Sequence, residues 1–208
     1  MRPDGRRSFL PHAVNGNTHH PYGVRRSAES AYPGDWTTHS RRTTLDEHGV
    51  RVEALDVTGP PGDRFVQSVV HLPATAVALV VRAEEVLVLR TYRHPVGLWG
   101  YELPGGGVDD DEDPVDAAAR EAAEETGWRP VGPGRSMISF EPLPGEVVSP
   151  THVVVFDAVE ASGEPRDPLE PGRVQWLPLA DVPRLAAGGQ FLGAGTLVAL
   201  LQYLAERG

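Results

Sequence analysis

Residues 106–128 read GGVDDDEDPVDAAAREAAEETGW. Within this stretch the spacing G-x5-E-x7-R-E-x2-E-E-x-G is made by Gly106, Glu112, Arg120, Glu121, Glu124, Glu125 and Gly127. Asp113 is suited to cap a helix, and Pro114 is tolerated as its first residue. The alanine-rich residues 117–123 favour the helix, and Gly127 is a typical stop signal. The stretch therefore predicts a helix over Pro114–Thr126, preceded by a glycine turn.

The predicted helix carries a group of acids on one face. Glu121 and Glu125 are four residues apart, and Glu124 lies beside them, because residues three or four apart are neighbours on a helix. Their carboxylates repel one another, and Mg²⁺ or Mn²⁺ would offset that repulsion. Arg120 can pair with one carboxylate and hold it. An alanine helix rich in glutamate is more often a plain solvated surface, but the complete spacing favours a metal site for a diphosphate.

The stretch resembles the Nudix box at every charged and glycine position. Ala122 and Trp128 depart from it, because the family usually has bulky aliphatic residues at both places. The resemblance implies an α/β fold, an α/β/α sandwich with a mixed β-sheet. It also implies an enzyme that hydrolyses a nucleoside diphosphate linked to another group.

The segments before the box resemble the branch of the family that acts on ADP-ribose and nucleotide sugars. They read TYRHP over residues 91–95 and WGYELPGG over residues 99–106. In that branch an arginine at the position of Arg93 contacts phosphate, and Glu102 lies in the adjoining substrate segment. The branch also has a proline sixteen residues after the box, which here is Pro144.

The resemblance also assigns roles at the metal. The Gly105 carbonyl, Glu121 and Glu125 would bind the ions directly, and Glu124 would bind an ion or orient the attacking water. Glu112 would contact Arg120 or a further ion. A glutamate from a later loop would act as the base or as an extra ligand. Glu170 is the favoured candidate for that role, with Glu146, Glu164 and Asp167 as rivals.

Composition limits the remaining possibilities. The 208 residues carry a net charge of −10 without a basic stripe after the N-terminus, which argues against a nucleic-acid partner. There is no cysteine and no apolar run of membrane-spanning length, and the N-terminus lacks the apolar core of a signal peptide. We expect a cytoplasmic protein with a disordered or loosely attached arm over residues 1–33 and one Nudix domain over residues 34–208.

Hydrophobic patterning predicts the rest of the fold. Strands are expected at residues 50–57, 65–72, 74–81, 85–91, 137–140, 152–158 and 174–177. Helices are expected at residues 179–187 and 196–206, the second with a core-facing leucine stripe.

Several alternatives stay open from the sequence. The box alone also fits a house-cleaning nucleoside triphosphate pyrophosphohydrolase, and some relatives are sensors of ADP-ribose-like metabolites that have lost catalysis. An isopentenyl diphosphate isomerase is disfavoured, because its catalytic cysteine has no counterpart here. Relatives in this branch are often homodimers, so a homodimer is expected by resemblance. The aromatic residues available to stack on a base are Tyr32, Trp36, Phe65 and Trp99, more plausibly core or hinge residues, and the sequence does not choose among them.

Overall fold

The computed structural model describes residues 36–163 and 173–208. Their elements, in chain order, are β1 (Thr37–Glu47), β2 (Val50–Thr58), β3 (Arg64–His71), β4 (Thr75–Arg82), β5 (Glu85–Arg93), β6 (Leu98–Glu102), β7 (Gly105–Gly107), α1 (Pro114–Thr126), β8 (Trp128–Pro130), β9 (Arg135–Phe140), β10 (Val147–Val148), β11 (Thr151–Phe156), β12 (Val159–Ala161), β13 (Arg173–Pro178), a 3₁₀ turn (Leu179–Asp181), α2 (Val182–Ala187) and α3 (Ala194–Arg207).

The described residues fall into two compact units. The first holds residues 36–72 and Pro144–Val148, and the second holds Pro73–Leu143 with residues 149–163 and 173–208. In the first unit the strand order is β1-β2-β3-β10, with β10 parallel to β3 and the other neighbours antiparallel. His48 and Gly49 connect β1 to β2 with positive φ angles of 54° and 77°. Every residue of β1 is exposed.

The second unit is built on a mixed seven-stranded sheet. Its strand order is β13-β5-β4-β11-β9, with β6 paired to β5 and β7 paired to β4. β11 runs parallel to β4, whereas the other neighbours are antiparallel. β8 and β12 form a separate antiparallel pair.

Helices cover both faces of this sheet. Along β4, Leu79 and Val81 pack with α2 and α3, whereas Ala76, Ala78 and Val80 pack with α1. The alternation follows from the two-residue period of a strand, which sends successive side chains to opposite faces. The α/β/α arrangement with a mixed sheet is therefore confirmed.

Most of the strands and helices expected from the pattern are present within a few residues of their predicted ends. β1 was not foreseen, because its fully exposed strand shows no apolar alternation. The predicted arm over residues 1–33 lies outside the described residues, and the assignment of residues 34–208 to one domain stays a prediction. Across the described part of the chain, no helix has the length and apolar character needed to span a membrane.

Candidate active site

Local interactions define the helix that carries the acidic group. Asp113 caps α1 by accepting a hydrogen bond from the Val115 amide at 2.8 Å, and Pro114 is its first residue. Gly127 ends the helix in the left-handed conformation with φ 70°, and its amide donates to the Ala123 carbonyl at 3.0 Å. Both helix ends therefore match the prediction.

The two residues that depart from the box have partners in the structure. Ala122 is fully buried in a cluster with Ala76 and Ala78, so small side chains of α1 meet small side chains of β4. Trp128 packs edge to face on Trp176, with ring centroids 5.5 Å apart. The Arg82 guanidinium lies 4.0 Å from the Trp176 centroid and 5.4 Å from the Trp128 centroid. Both departures from the box are therefore packed in the structure, Ala122 against small residues and Trp128 against an aromatic ring.

Arg120 holds the acidic group together. Its Nε and Nη2 donate to the two carboxylate oxygens of Glu112, both at 2.9 Å. Its Nη1 donates to Glu121 at 2.7 Å and forms a longer ion pair of 3.5 Å with Glu124. Nη2 also donates to the Gly107 carbonyl at 2.9 Å. One guanidinium thus joins Gly107 and Glu112, which precede α1, to Glu121 and Glu124 on the helix, and the expected contact between Glu112 and Arg120 is present.

These hydrogen bonds separate the behaviour of two acids. The Arg120 guanidinium, helped by the Asp109 amide, lowers the pKa of Glu112 to about 2. Hydrogen bonding to Glu112 in turn raises the pKa of Arg120. Burial raises the pKa of Glu121, and Arg120 opposes that effect only in part. Glu112 is therefore ionised at neutral pH. Burial destabilises the ionised form of Glu121, and a bound cation would offset that effect.

Gly106 makes room for the Glu121 carboxylate. A Cβ at this glycine would lie 2.5 Å from both Cδ and Oε1 of Glu121 and 2.7 Å from its Oε2. Real Cβ atoms essentially never come that close to another heavy atom. A larger residue at this position would therefore force the Glu121 carboxylate to move.

Gly105 meets both the sheet and the helix. A Cβ there would lie 2.5 Å from the Ala76 carbonyl oxygen and 2.9 Å from the Val77 Cα, so only glycine fits against β4. The Gly105 amide donates to Glu125 Oε2 at 2.9 Å. The side-chain-free strand β7 thus lets the carboxylates of α1 approach the backbone.

This group of donors suits a hard divalent cation, because it consists of carboxylate and carbonyl oxygens beside a half-buried acid. In residues 36–163 and 173–208, no three acidic or histidine side chains converge as a ready-made cage. Arg120 engages Glu121, and the Gly105 amide engages Glu125. The residues therefore fit a divalent ion. On binding the ion, Glu121 and Glu125 would give up some of these hydrogen bonds and coordinate the ion instead.

Arg93 and Glu102 form a second ion pair in the same unit. They lie at the ends of β5 and β6, and the Arg93 Nε and Nη2 donate to the Glu102 carboxylate at 2.6–3.1 Å. The Arg93 side chain is 38% exposed, and that of Glu102 is 14% exposed. The guanidinium is therefore held in one orientation while part of it remains accessible.

Other predicted site residues are distributed differently. Pro144 belongs to the first unit, whereas the box, Arg93 and Glu102 belong to the second. Glu170 and its rivals Glu164 and Asp167 lie outside the described residues, as does Tyr32. Trp36, Phe65 and Trp99 were expected to be core or hinge residues; they are 62%, 42% and 57% exposed, so they are not core residues, and a hinge role stays a prediction.

The sequence reading missed a histidine on the α1 side of the sheet. His152 lies on β11, and its Nδ1 is 2.9 Å from the Ser139 hydroxyl on β9. Burial lowers the pKa of this histidine. The alternation of β11, with valines at 153 and 155 facing α2 and α3, would have placed His152 on the opposite face.

Comparison with known proteins agrees with the fold and the box. The family model for the NUDIX domain matches residues 70–193. A CMP-5'-(N-acetyl-N-hydroxy-3-aminopropyl)phosphonate hydrolase from Streptomyces rubellomurinus is 37% identical over 171 residues, covering 81% of this chain and 82% of that protein. The mouse ADP-sugar pyrophosphatase is 27% identical over 175 residues, covering 77% and 79% of the two chains.

A solved structure described as an ADP compounds hydrolase shares the fold. It superposes with a TM-score of 0.71 at 22% identity, covering 83% of this chain and 96% of the other. The chain belongs to the Nudix family. It is a Nudix hydrolase, an enzyme of the class that acts on nucleoside diphosphate derivatives.

Proposed function

We propose that this enzyme uses divalent metal ions to hydrolyse the diphosphate of ADP-ribose or a nucleotide sugar. The observation that carries the proposal is the half-buried Glu121 carboxylate lodged over Gly106, beside Glu125 on the Gly105 amide. Burial disfavours an isolated carboxylate, whereas a bound cation stabilises its ionised form. A partly buried acid at this position is therefore typical of a functional site. In the reaction, a water oxygen bonds to one phosphorus atom while the bridging P–O bond breaks.

The metal ligands would be the Gly105 carbonyl, Glu121 and Glu125, with Glu124 and Glu112 as further candidates. Bound Mg²⁺ or Mn²⁺ supplies neutralisation of phosphate charge and a lower pKa for bound water. Arg120 orients Glu112 and Glu121 through its hydrogen bonds, so the carboxylates keep their positions while substrate enters. This orientation is the catalytic contribution that we assign to Arg120.

Arg93 would donate to a phosphate oxygen of the substrate. The guanidinium geometry suits phosphate, and its contacts with both carboxylate oxygens of Glu102 fix its plane. Glu102 would contact the substrate together with Arg93. Glu170 would accept the proton of the attacking water. Pro144 would contribute to substrate binding. These roles rest on the resemblance to the ADP-ribose branch.

The candidate substrates differ in the group that is linked to the nucleotide. The mouse relative is named for ADP-sugars, which supports an ADP-linked sugar. The Streptomyces relative is named for a CMP-linked phosphonate, so a nucleoside monophosphate joined to a phosphonate is the second candidate. The intact box, held by Arg120, disfavours a sensor without turnover, and the ELPGG segment with Pro144 disfavours a triphosphate substrate. A homodimer stays a prediction from the resemblance.

A substrate panel tests the proposal. ADP-ribose, nucleotide sugars, a CMP-linked phosphonate and nucleoside triphosphates would each be incubated with Mg²⁺, with Mn²⁺ and with chelator, and the products separated by chromatography. We expect AMP and ribose 5-phosphate from ADP-ribose, and no cleavage without divalent ions. Cleavage that persists in chelator, or that is confined to triphosphates, would contradict the proposal.

Glu125→Gln tests the part played by α1. The substitution keeps the size of the side chain and removes its charge, so metal binding weakens and turnover falls by orders of magnitude. Glu206→Gln, the same chemical change on α3 at the other face of the sheet, is the matched control. If Glu125→Gln stayed as active as Glu206→Gln, the helix would have no place in the mechanism.

A further inference from the structure

Two buried residues carry the chain from β6 to β7. β6 ends at Glu102 and pairs with β5, whereas β7 begins at Gly105 and pairs with β4. Leu103 and Pro104 lie between these strands, and both are buried. Proline has no amide hydrogen, so the Leu103 amide is the backbone donor of this crossing. The crossing joins the residue that orients Arg93 to the residue whose carbonyl is a candidate metal ligand.

A side chain of α3 binds the Leu103 amide. One step earlier along the chain, the Leu192 amide donates a backbone hydrogen bond to the Tyr101 carbonyl at 3.0 Å. Gly193 then turns the chain into α3 with φ 77°, so this backbone ladder stops before it reaches Leu103. The Thr196 hydroxyl, in the first turn of α3, accepts the hydrogen bond of the Leu103 amide at 3.0 Å. A side-chain oxygen therefore takes the place of the backbone carbonyl that a longer ladder would supply.

This contact is buried on both sides. Leu103 and Thr196 are each 5% exposed, so water cannot replace the hydroxyl unless the chain moves. The end of the crossing towards β7 is held, because the Pro104 carbonyl accepts from a β4 amide at 2.9 Å and β7 pairs with β4. Glu102 is the last residue of β6, so the movement would fall on this residue, whose carboxylate holds Arg93.

We propose that Thr196 is a positioning residue for substrate binding. Its hydroxyl holds the Leu103 amide, and through it the Glu102 carboxylate that orients Arg93. The inference rests on the proposed function in one respect, because that function makes a phosphate oxygen of the substrate the ligand of Arg93. Thr196 acts from α3, which packs on the face of the sheet opposite α1 and its carboxylates.

Three variants isolate the hydroxyl. Thr196→Val keeps the shape of the side chain and removes the acceptor, whereas Thr196→Ser keeps the acceptor and is the rescue. Thr151→Val is the matched control, because Thr151 is also 5% exposed and its hydroxyl contacts the Thr75 hydroxyl and the Ser149 carbonyl. The two valine variants lose the same buried group, so a loss of stability alone would affect both in the same way.

The first readout is the hydrogen exchange rate of the Arg93 Nε–H, which does not depend on turnover. It would be followed by ¹⁵N NMR of the free protein, with the signal assigned by its loss in Arg93→Lys. We expect Thr196→Val to accelerate this exchange by about threefold to tenfold, the value of one neutral hydrogen bond. Thr196→Ser and Thr151→Val should keep the wild-type rate.

The second readout is steady-state kinetics with ADP-ribose and Mg²⁺. Thr196→Val should raise KM by about threefold to tenfold, because the guanidinium is less often in the orientation that binds phosphate. It should change kcat by less than about twofold, because the carboxylates of α1 keep their positions. Thr196→Ser should restore the wild-type KM, and Thr151→Val should leave it unchanged.

The outcomes distinguish this inference from the proposed function. Equal exchange rates at Arg93 in the two valine variants would overturn the role of Thr196, as would a wild-type KM in Thr196→Val or a raised KM that Thr196→Ser does not reverse. If the exchange accelerates as expected but the wild-type protein hydrolyses no diphosphate, the proposed function alone fails. Should Thr196→Val not fold, as judged by its thermal unfolding, Thr196→Cys decides the question, because a thiol is a weak acceptor of similar size to the hydroxyl, and it should accelerate the same exchange.

Discussion

Replacing Gly106 with alanine tests whether the position of one carboxylate controls catalysis. The new Cβ would start 2.5 Å from the Glu121 Cδ. Carbon atoms pack at about 3.5 Å or more, so the carboxylate must retreat by about 1 Å. A displacement of about 1 Å at a reacting centre can cost about a hundredfold in rate. We therefore expect kcat/KM to fall by about a hundredfold, or ~2.7 kcal/mol of transition-state stabilisation.

The neighbouring glycine provides the matched control. A Cβ on Gly107 would meet no atom within 4 Å, and neither glycine has a positive φ. Gly107→Ala should therefore keep the wild-type rate, and both variants should keep the fold. Steady-state kinetics with ADP-ribose and calorimetric titration with Mn²⁺ would be measured for all three proteins. A Gly106→Ala enzyme with wild-type kinetics and metal affinity, or equal damage from Gly107→Ala, would refute the reasoning.

Three further outcomes are expected. Glu112 has a lowered pKa in the fold, so its contact with Arg120 stabilises the protein above the unfolded value of 4.5 and is lost as pH falls towards about 2. Urea unfolding should show Glu112→Gln less stable by about 2 kcal/mol at neutral pH, a gap that closes over this window, and a constant gap would contradict the assignment. Trp128→Leu removes the contacts with a second tryptophan and an arginine and should lower the free energy of unfolding by about 1–2 kcal/mol in the same assay, whereas an unchanged value would make the packing irrelevant. Glu170→Gln should lower turnover by about a hundredfold if Glu170 is the base, and a change below about threefold would reject that role.

Helix α1 could be predicted from sequence because its determinants are local. Asp113, Pro114 and Gly127 act on backbone groups within four residues of themselves, and each does so in the structure. The pairing of Glu112 with Arg120 could also be predicted, because both residues lie in the box and are close in the sequence. Interactions that close over a few residues leave a pattern that can be read directly.

The ion pair of Arg93 with Glu102 depends on the pairing of two strands. The register of β5 with β6 places the two side chains on one face, and the sequence around each gave no sign of the other. The same holds for β7, a strand of three glycines with no intrinsic preference for a sheet. It exists because β4 supplies its hydrogen-bonding partners.

His152 shows the limit most clearly. The alternation of β11 places it on the face opposite Val153 and Val155, but nothing in the neighbouring sequence indicates its contact with Ser139 on β9. That contact arises from the antiparallel pairing of β11 with β9.

The amino-acid sequence by itself determined the family, the acidic helix and the carboxylates that would hold metal ions, because spacing along one helix carries that information. Only the tertiary structure decided that Glu121 is half buried over Gly106, that Arg93 is oriented by Glu102, and that His152 faces the same side of the sheet. Each of these depends on which strands pair and in which register, and such pairing is set by contacts between residues far apart in the chain.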